Sequence, residues 1–329
     1  METTLDVVGI GNAIVDVLVH ADDAFLAEHG LTKGAMALVD AERAEFLYAR
    51  MGPGVEVSGG SAANTLAGLA ALGGRAAFIG KVRDDQLGSV FVHDIRASGV
   101  RFDTAAAASG APTARCLIVV TPDGQRTMST YLGASVELGP GEVDDDLIAA
   151  AEIAYLEGYL WDPPEAKRAF RKALRIAHAH GRRVALSLSD SFCVDRHREE
   201  FLDLVAGHVD ILFANQTEIM SLYRVDDFDA ALQHVRDHCE VAALTRSDKG
   251  SVVVANDEVH IVDAHPVDKV IDTTGAGDLY AAGFLYGLTR GWGLDRCARL
   301  GGLAAAEVIS HIGARPQANL AELWAQAFG

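Results

Sequence analysis

Cysteine is scarce in this chain: four residues among 329, at Cys116, Cys193, Cys239 and Cys297, with no C-x-x-C pair among them. That spacing excludes the usual zinc and dithiol frameworks and fits a reducing compartment. Basic residues are also few, 28 Lys and Arg against 46 Asp and Glu, for a formal net charge of −18. Without a Lys/Arg-rich run to gather positive charge in one place, a polyanion such as nucleic acid is repelled, so no nucleic-acid partner is expected. No uninterrupted apolar stretch approaches the roughly 20 residues a spanning helix needs. The opening METTLDVVGIGNAIVDV has no basic segment ahead of its apolar residues, so neither a membrane nor a secretory route is expected, and the reading is a cytoplasmic protein. Internal repeats and low-complexity tracts are likewise missing, which excludes solenoids and disordered tails.

What the chain does have is apolar content, half of its residues, enough to bury one large α/β core. LDVVGIGN is a β-branched run closed by glycines, and IVDVLVHA alternates apolar with polar residues, so strand follows strand at the start. SAANTLAGLAAL carries helical spacing, and AAFIGKVRDDQLG reads as strand, turn and helix start. From about 103 to 135 the character turns to β, with Pro-Asp-Gly at the centre of RCLIVVTPDGQRTMSTYLG as a hairpin turn. Beyond it, βα alternation returns: IAYLEGYL, PPEAKRAFRKALRIAHAHG, VALSLS, HREEFLDLVAG, VDILFAN, FDAALQHVRDH, VAALTRSDKGSVVVAN. The expected architecture is a single domain over 1–329: a doubly wound, mainly parallel sheet flanked by helices, carrying a small β-sheet lid from about 13–57 and 103–135.

Two familiar nucleotide motifs fail. GIGNAI, residues 9 to 14, begins like a dinucleotide fingerprint, but Ile14 fills the third small position and a strand-like segment follows where a helix must start. Gly80-Lys81 lacks both the upstream glycine and the following Ser or Thr of a Walker A loop.

Four other stretches carry chemistry. Asn12 and Asp16 lie just past a core strand, where α/β sheets bind ligands, and an amide with a carboxylate suits vicinal hydroxyls. Ser58-Gly59-Gly60-Ser61-Ala62-Ala63-Asn64 puts two glycines at a helix entry, so bare backbone can approach a ligand with Asn64 at the same mouth. Asn215-Gln216-Thr217-Glu218 closes a strand with N-x-x-E, which suits either a water-mediated Mg²⁺ or a plain capping box. The fourth is VIDTTGAGDLYAAGFLYGL. After the strand-like KVIDTT, Gly275-Ala276-Gly277 offers successive backbone N–H groups at a helix N-terminus, an anion hole for a phosphate, with Asp278 in the first turn as general base. His234 and His238 stand at i and i+4 without the intervening glutamate of a zinc motif and read as a solvated helix face.

DTTGAGD, SGGSAAN and NQTE, in this order and spacing, resemble the signatures of the ribokinase (pfkB-type) carbohydrate kinase family. Within it, GNAIVDV, YLEGYL, LSLSDSF and VDILFANQTE look most like the adenosine-phosphorylating branch. The resemblance implies an ATP-dependent kinase acting on the 5′-hydroxyl of a nucleoside, adenosine to AMP in purine salvage. Its alternatives are a sugar kinase acting on ribose, fructose or a keto-sugar acid, and an inosine or guanosine kinase. It assigns Asp278 as base, Gly275, Ala276 and Gly277 as anion hole, and Asn12, Asp16, Gly60 and Asn64 as ribose ligands. Leu38, Leu132, Ala134 and Phe192 become apolar walls for the base. Thr245, Ser247, Lys249 and Gly250 fall in the ATP loop, and Asn215 and Glu218 organise Mg²⁺ through water. Asp272 and Thr274 are implied near a K⁺ site. Two departures stand out: Met36, where eukaryotic relatives carry glutamine, and the threonine of DTTGAGD. Arg115 is a further candidate for phosphate or substrate contact. The expected partner is a small molecule, the state a monomer or homodimer.

Overall fold

A computed structural model of the chain describes residues 3–256 and 258–328. The strands, in chain order, are β1 (Leu5–Ile10), β2 (Ile14–His20), β3 (Met36–Leu38), β4 (Val55–Gly59), β5 (Ala76–Ile79), β6 (Arg101–Phe102), β7 (Ala114–Val120) and β8 (Arg126–Tyr131). The rest are β9 (Ala151–Glu157), β10 (Arg183–Ser187), β11 (Ile211–Asn215), β12 (Val241–Thr245), β13 (Ser251–Ala255) and β14 (Glu258–Val262). Among the described residues they form two sheets. The large one has the order β14-β13-β12-β11-β10-β9-β1-β5-β6 and is parallel from β6 to β12, with β13 and β14 added antiparallel at one edge. The small one runs β3-β8-β7-β2-β4 and mixes both senses.

All six residues of β1 are buried, as a central parallel strand requires when helices cover both faces. Alternate side chains go to opposite cores: Val7 joins Ile153, Tyr155 and Phe213 on one face, whereas Val8 joins Ala154, Val184 and Trp161 on the other. The helix Pro164–Ala179 covers the second face, opening with proline at its first position and Glu165 in its first turn. On the first face the helices Ser61–Ala71 and Ala276–Thr289 pack at very short range. A Cβ on Gly68 would lie 2.5 Å from Leu279 Cδ1 and 2.9 Å from Ala282 Cβ, so only glycine permits this approach. That contact brings the two helix N-termini together.

The small sheet hangs from the strand ends of the large one. Its β7–β8 hairpin turns at Pro122-Asp123-Gly124, where Gly124 N–H donates to Thr121 O at 2.8 Å and Gly124 has φ 81°. Short helices at Asp23–Glu28 and Ala41–Tyr48 interrupt its N-terminal part, which the strand-after-strand reading did not foresee.

The expected strand at KVIDTT is not formed. Residues 263–273 hold no regular structure, and Val270 and Ile271 are exposed. The N–H groups of Ile271 and Asp272 both reach Ile309 O, at 2.8 and 3.3 Å. The β-branched run therefore crosses the end of the helix Leu294–Val308 instead of joining the sheet. His234 is exposed and His238 half-buried, in keeping with a solvated helix face, and Tyr223 stacks on both rings, its hydroxyl 2.9 Å from His238 Nδ1.

Candidate active site

The order β9-β1-β5 places the first strand between neighbours that come later in the chain on both sides. This is a topological switch point, and the crevice beyond the carboxyl ends of such strands is where open α/β sheets take ligands. Four chain segments meet there: the turn after β1, the end of β9, and the N-termini of the helices Ser61–Ala71 and Ala276–Thr289.

Asp278 occupies the first turn of the second of these helices. Its Oδ1 accepts from Ser61 Oγ at 2.6 Å and its Oδ2 from Asn64 Nδ2 at 3.0 Å. Burial raises the Asp278 pKa, and the bonds from Ser61 and Asn64 with the charge of Arg315 work against that rise. A carboxylate held this way is oriented yet basic, which is what a general base requires. Before it, Gly275 caps the helix with φ 79°, and a Cβ there would sit 2.8 Å from Ala314 Cβ. The Ala276 N–H leans on Thr273 O at 3.3 Å, whereas the N–H groups of Gly277 and Asp278 have no acceptor among the described residues. The amides without an acceptor are thus those of Gly277 and Asp278, one residue along from the expected Gly275-Ala276-Gly277. A Cβ on Gly277 would meet nothing within 4 Å, so free space lies over those amides.

Asn12, expected as a ribose ligand, is also held by the protein itself. It is 1% exposed, its backbone and side-chain N–H groups both donate to Glu157 Oε1, at 3.3 and 2.8 Å, and its Oδ1 accepts from Ser135 Oγ at 2.9 Å. These bonds brace the crevice floor and engage one of the two Nδ2 hydrogens. Glu157, which the sequence reading missed, also accepts from Ala62 N–H at 2.9 Å and thereby ties the β1 turn to the Ser61–Ala71 helix. Burial pushes its carboxyl up to about 7. The Glu157 signal was weak in sequence: one acidic residue ending an apolar strand.

The Asp16 side chain, expected as a sugar ligand, makes no hydrogen bond among the described residues and packs against Gly59, where a Cβ would come within 2.6 Å of Oδ2. Burial raises its pKa to about 6, against the lowering pull of Arg126 and Arg315. Gly60 has φ 98°, and any side chain would strike Asn12 O at 2.1 Å. Asn64 leaves its Oδ1 buried and unpaired, an acceptor for a donor that the chain itself does not supply.

The expected apolar walls are spread unevenly. Leu38 on β3 is exposed and Leu132 half-buried, while Ala134 is fully enclosed, its N–H donating to Pro112 O at 2.8 Å. Phe192, 74% exposed, stands in solvent at the start of the helix Ser191–Gly207. Of the four, Leu38 and Phe192 are thus the exposed side chains and Ala134 the enclosed one. Met36 is exposed beside Leu38 on β3. Arg115 is no phosphate contact: it pairs with Glu45 at 2.7 Å and lies over the Tyr48 ring, inside the small sheet's own packing.

Asp272 and Thr274, expected near a monovalent cation, are taken by a guanidinium. Arg126 of β8 pairs with Asp272 and donates to Thr274 Oγ1 at 2.6 Å. Asp272 also accepts from Gly313 N–H and Thr274 N–H, at 2.9 and 3.0 Å, and these bonds with Arg126 hold its carboxyl low against the opposing effect of burial. Arg126 thus latches the small sheet onto the loop before the helix Ala276–Thr289.

Farther along the same sheet edge, Thr245 ends β12, Ser247 and Lys249 are exposed in a tight turn, and Gly250 has φ 76°. A side chain at Gly250 would strike Val262 O at 2.0 Å. Asn215 and Glu218 form a closed capping box: Asn215 N–H donates to Glu218 Oε2 and Glu218 N–H to Asn215 Oδ1, both at 2.9 Å. Glu218 is buried, which raises its pKa to about 7. No group of three His, Cys, Asp or Glu side chains converges as a metal site among the described residues. The pair fits an outer contact to a hydrated ion better than direct ligation.

Comparison with known proteins agrees with this arrangement. The profile of the pfkB family carbohydrate kinases matches residues 43–320. The solved structure of adenosine kinase from Sinorhizobium meliloti is 58% identical, covering 99% of this chain and 100% of that one, with a TM-score of 0.92. A probable sugar kinase from Rhizobium etli CFN 42 is 55% identical over 99% of both chains, also at 0.92. The 5-dehydro-2-deoxygluconokinase of Geobacillus thermodenitrificans is 28% identical over 77% of this chain and 78% of its own.

Proposed function

Because the chain belongs to the pfkB family of carbohydrate kinases, phosphotransferases with a hydroxyl group as acceptor, we propose that it transfers the γ-phosphoryl group of ATP to the 5′-hydroxyl of a nucleoside, adenosine foremost. The observation that carries this reading is Asp278, fixed by Ser61 and Asn64 beside the free amides of Gly277 and Asp278. Acceptor activation and phosphate stabilisation then meet at one helix end. The nucleoside choice is supported by the 58% identity to an adenosine kinase along the whole chain and by the apolar Leu38 and Leu132 on or beside the small sheet.

Asp16 takes the vicinal hydroxyls of the sugar and so turns the primary hydroxyl toward Asp278. That hydroxyl displaces one of the two donors on the Asp278 carboxylate and gives up its proton there as the phosphoryl group transfers in line. The Gly277 and Asp278 amides, reinforced by the helix dipole, receive the charge on the phosphoryl oxygens. The turn from Thr245 to Gly250 holds the nucleotide, and the small sheet closes as a lid that keeps water from the γ-phosphate. Asn215 and Glu218 would hold a hydrated Mg²⁺ through water, and the ion would supply neutralisation of the phosphate charge.

The competing reading is a sugar kinase, favoured by Met36: its thioether is a weak acceptor and offers adenine little hydrogen bonding. Asp278→Asn tests the shared chemistry. Turnover should fall by about 10² to 10⁴, with ATP affinity by calorimetry within a few-fold of wild type. A variant that retains full turnover removes the base assignment.

A further inference from the structure

Arg315 lies outside every motif discussed so far, in the segment after the helix Leu294–Val308. Its Nη2 donates to Ser58 O at 3.1 Å and to Ser58 Oγ at 2.9 Å. Its Nε is buried without a partner. The same short segment bears on the anion hole: Gly313 N–H donates to Asp272 Oδ2 at 2.9 Å, and Ala314 is the surface on which Gly275 closes. At its other end, Ser58 sits on β4 opposite Val15 and next to Gly59, the glycine on which Asp16 packs.

We propose that Arg315 is a positioning residue for phosphoryl transfer, tying the lid strand that seats Asp16 to the loop behind Gly275 and setting one fixed positive charge beside Asp16 and Asp278. This rests on the kinase reading above and adds a residue to it. A surface arginine that merely staples two loops leaves one fact unexplained: the choice of a charged group on which the carboxylates of Asp94, Asp16 and Asp278 all act.

The groups facing this charge come from several elements. Asp94 of the helix Gln86–Ala97, Asp16 of β2 and Asp278 all act on Arg315, whose burial lowers its pKa to about 10. Asp16 also faces Arg126, Asp272, Asp278 and Cys116, while Asp278 faces Ser61 and Asn64 and lies near Glu157 and Tyr155. Among them Arg315 is a cation common to both carboxylates. Asp16 and Asp278 already titrate above their ordinary values, so the folded chain binds these protons more tightly than the unfolded one. Stability from that source is present at low pH and lost as pH rises through the folded values. Removing Arg315 lifts both carboxyls further and steepens the loss.

Arg315→Met and Arg315→Lys are compared with wild type in two measurements. In thermal unfolding of the free protein, the fall in Tm between about pH 5 and pH 8 should be larger for the methionine variant and equal to wild type for lysine. In the pH dependence of kcat/KM, with whichever acceptor turns over, the acid limb should move up by about one pH unit for methionine and stay for lysine. Unmoved curves in folded Arg315→Met overturn the proposal. If Arg315→Met does not fold, Ser58→Ala keeps the charge and loosens the tie: acceptor KM should rise several-fold with the acid limb in place, and an unchanged KM overturns the role. A wild type that turns over no acceptor contradicts the kinase reading alone, and the Tm comparison then decides Arg315 by itself.

Discussion

The Ser61 hydroxyl stands 2.6 Å from Oδ1 of Asp278, across the junction of two helices that are 217 residues apart in sequence. This bond lowers the Asp278 pKa against the burial that raises it. A hydrogen bond to a buried charge contributes roughly 1.5 to 3 kcal/mol, so Ser61→Ala should reduce kcat by about tenfold or more. Because the carboxyl then titrates higher still, the acid limb of the pH–rate profile should move up while the KM for ATP stays. A Ser61→Ala enzyme with the wild-type limb would show that the bond does not tune the base.

Asp16 gives a prediction of opposite sense for stability and for binding. Its pKa rises from 3.8 to about 6, roughly 3 kcal/mol of disfavour for the ionised form in the free enzyme. That disfavour is absent below the unfolded value and complete above the folded one. Asp16→Asn should therefore raise Tm at about pH 8 and leave it unchanged near pH 3.5, while acceptor KM rises at least tenfold. In wild type, acceptor KM should climb as pH falls below about 6. A variant with unchanged acceptor KM would remove Asp16 from the sugar site.

Two glycines at the start of one helix, the N-cap Gly275 and Gly277 in the first turn, should respond differently. Gly275→Ala meets both a positive φ of 79° and the Ala314 backbone at 2.9 Å, and should lose about 1 to 3 kcal/mol of stability. Gly277→Ala meets nothing within 4 Å, so it should unfold like wild type. Its methyl group projects into the space over the free amides, and kcat should fall at least tenfold. Equal activity in Gly277→Ala would place the phosphate elsewhere.

The sequence was most informative where chemistry is local. Gly275 and Asp278 could be read because a glycine cap and a first-turn carboxylate are defined within a few residues. The β1 to β5 and β9 to β12 alternation was legible because each buried strand is a contiguous apolar run. What stayed hidden depends on distant partners. Arg126 reaches Asp272 and Arg315 reaches Ser58 only after the small sheet folds back over the crevice. Glu157 is silent until β1 lies beside it and Asn12 turns toward it. The bonds of Asn12 to Glu157 and Ser135 were hidden for the same reason, since an amide at a strand end looks free until its neighbours are placed. Val270 and Ile271 misled in the other direction: their β-branched side chains carry strand propensity, but every place beside β1 and β9 in the parallel sheet is already filled.

The most direct test of the proposed function is the initial rate of ADP formation by the wild-type enzyme with ATP and Mg²⁺, measured across adenosine, inosine, guanosine, ribose, fructose and a keto-sugar acid. The expected result is a kcat/KM for adenosine that exceeds every sugar by at least about 10², the scale set by one well-matched buried recognition surface. Faster turnover of ribose, fructose or the sugar acid than of adenosine would contradict the nucleoside assignment.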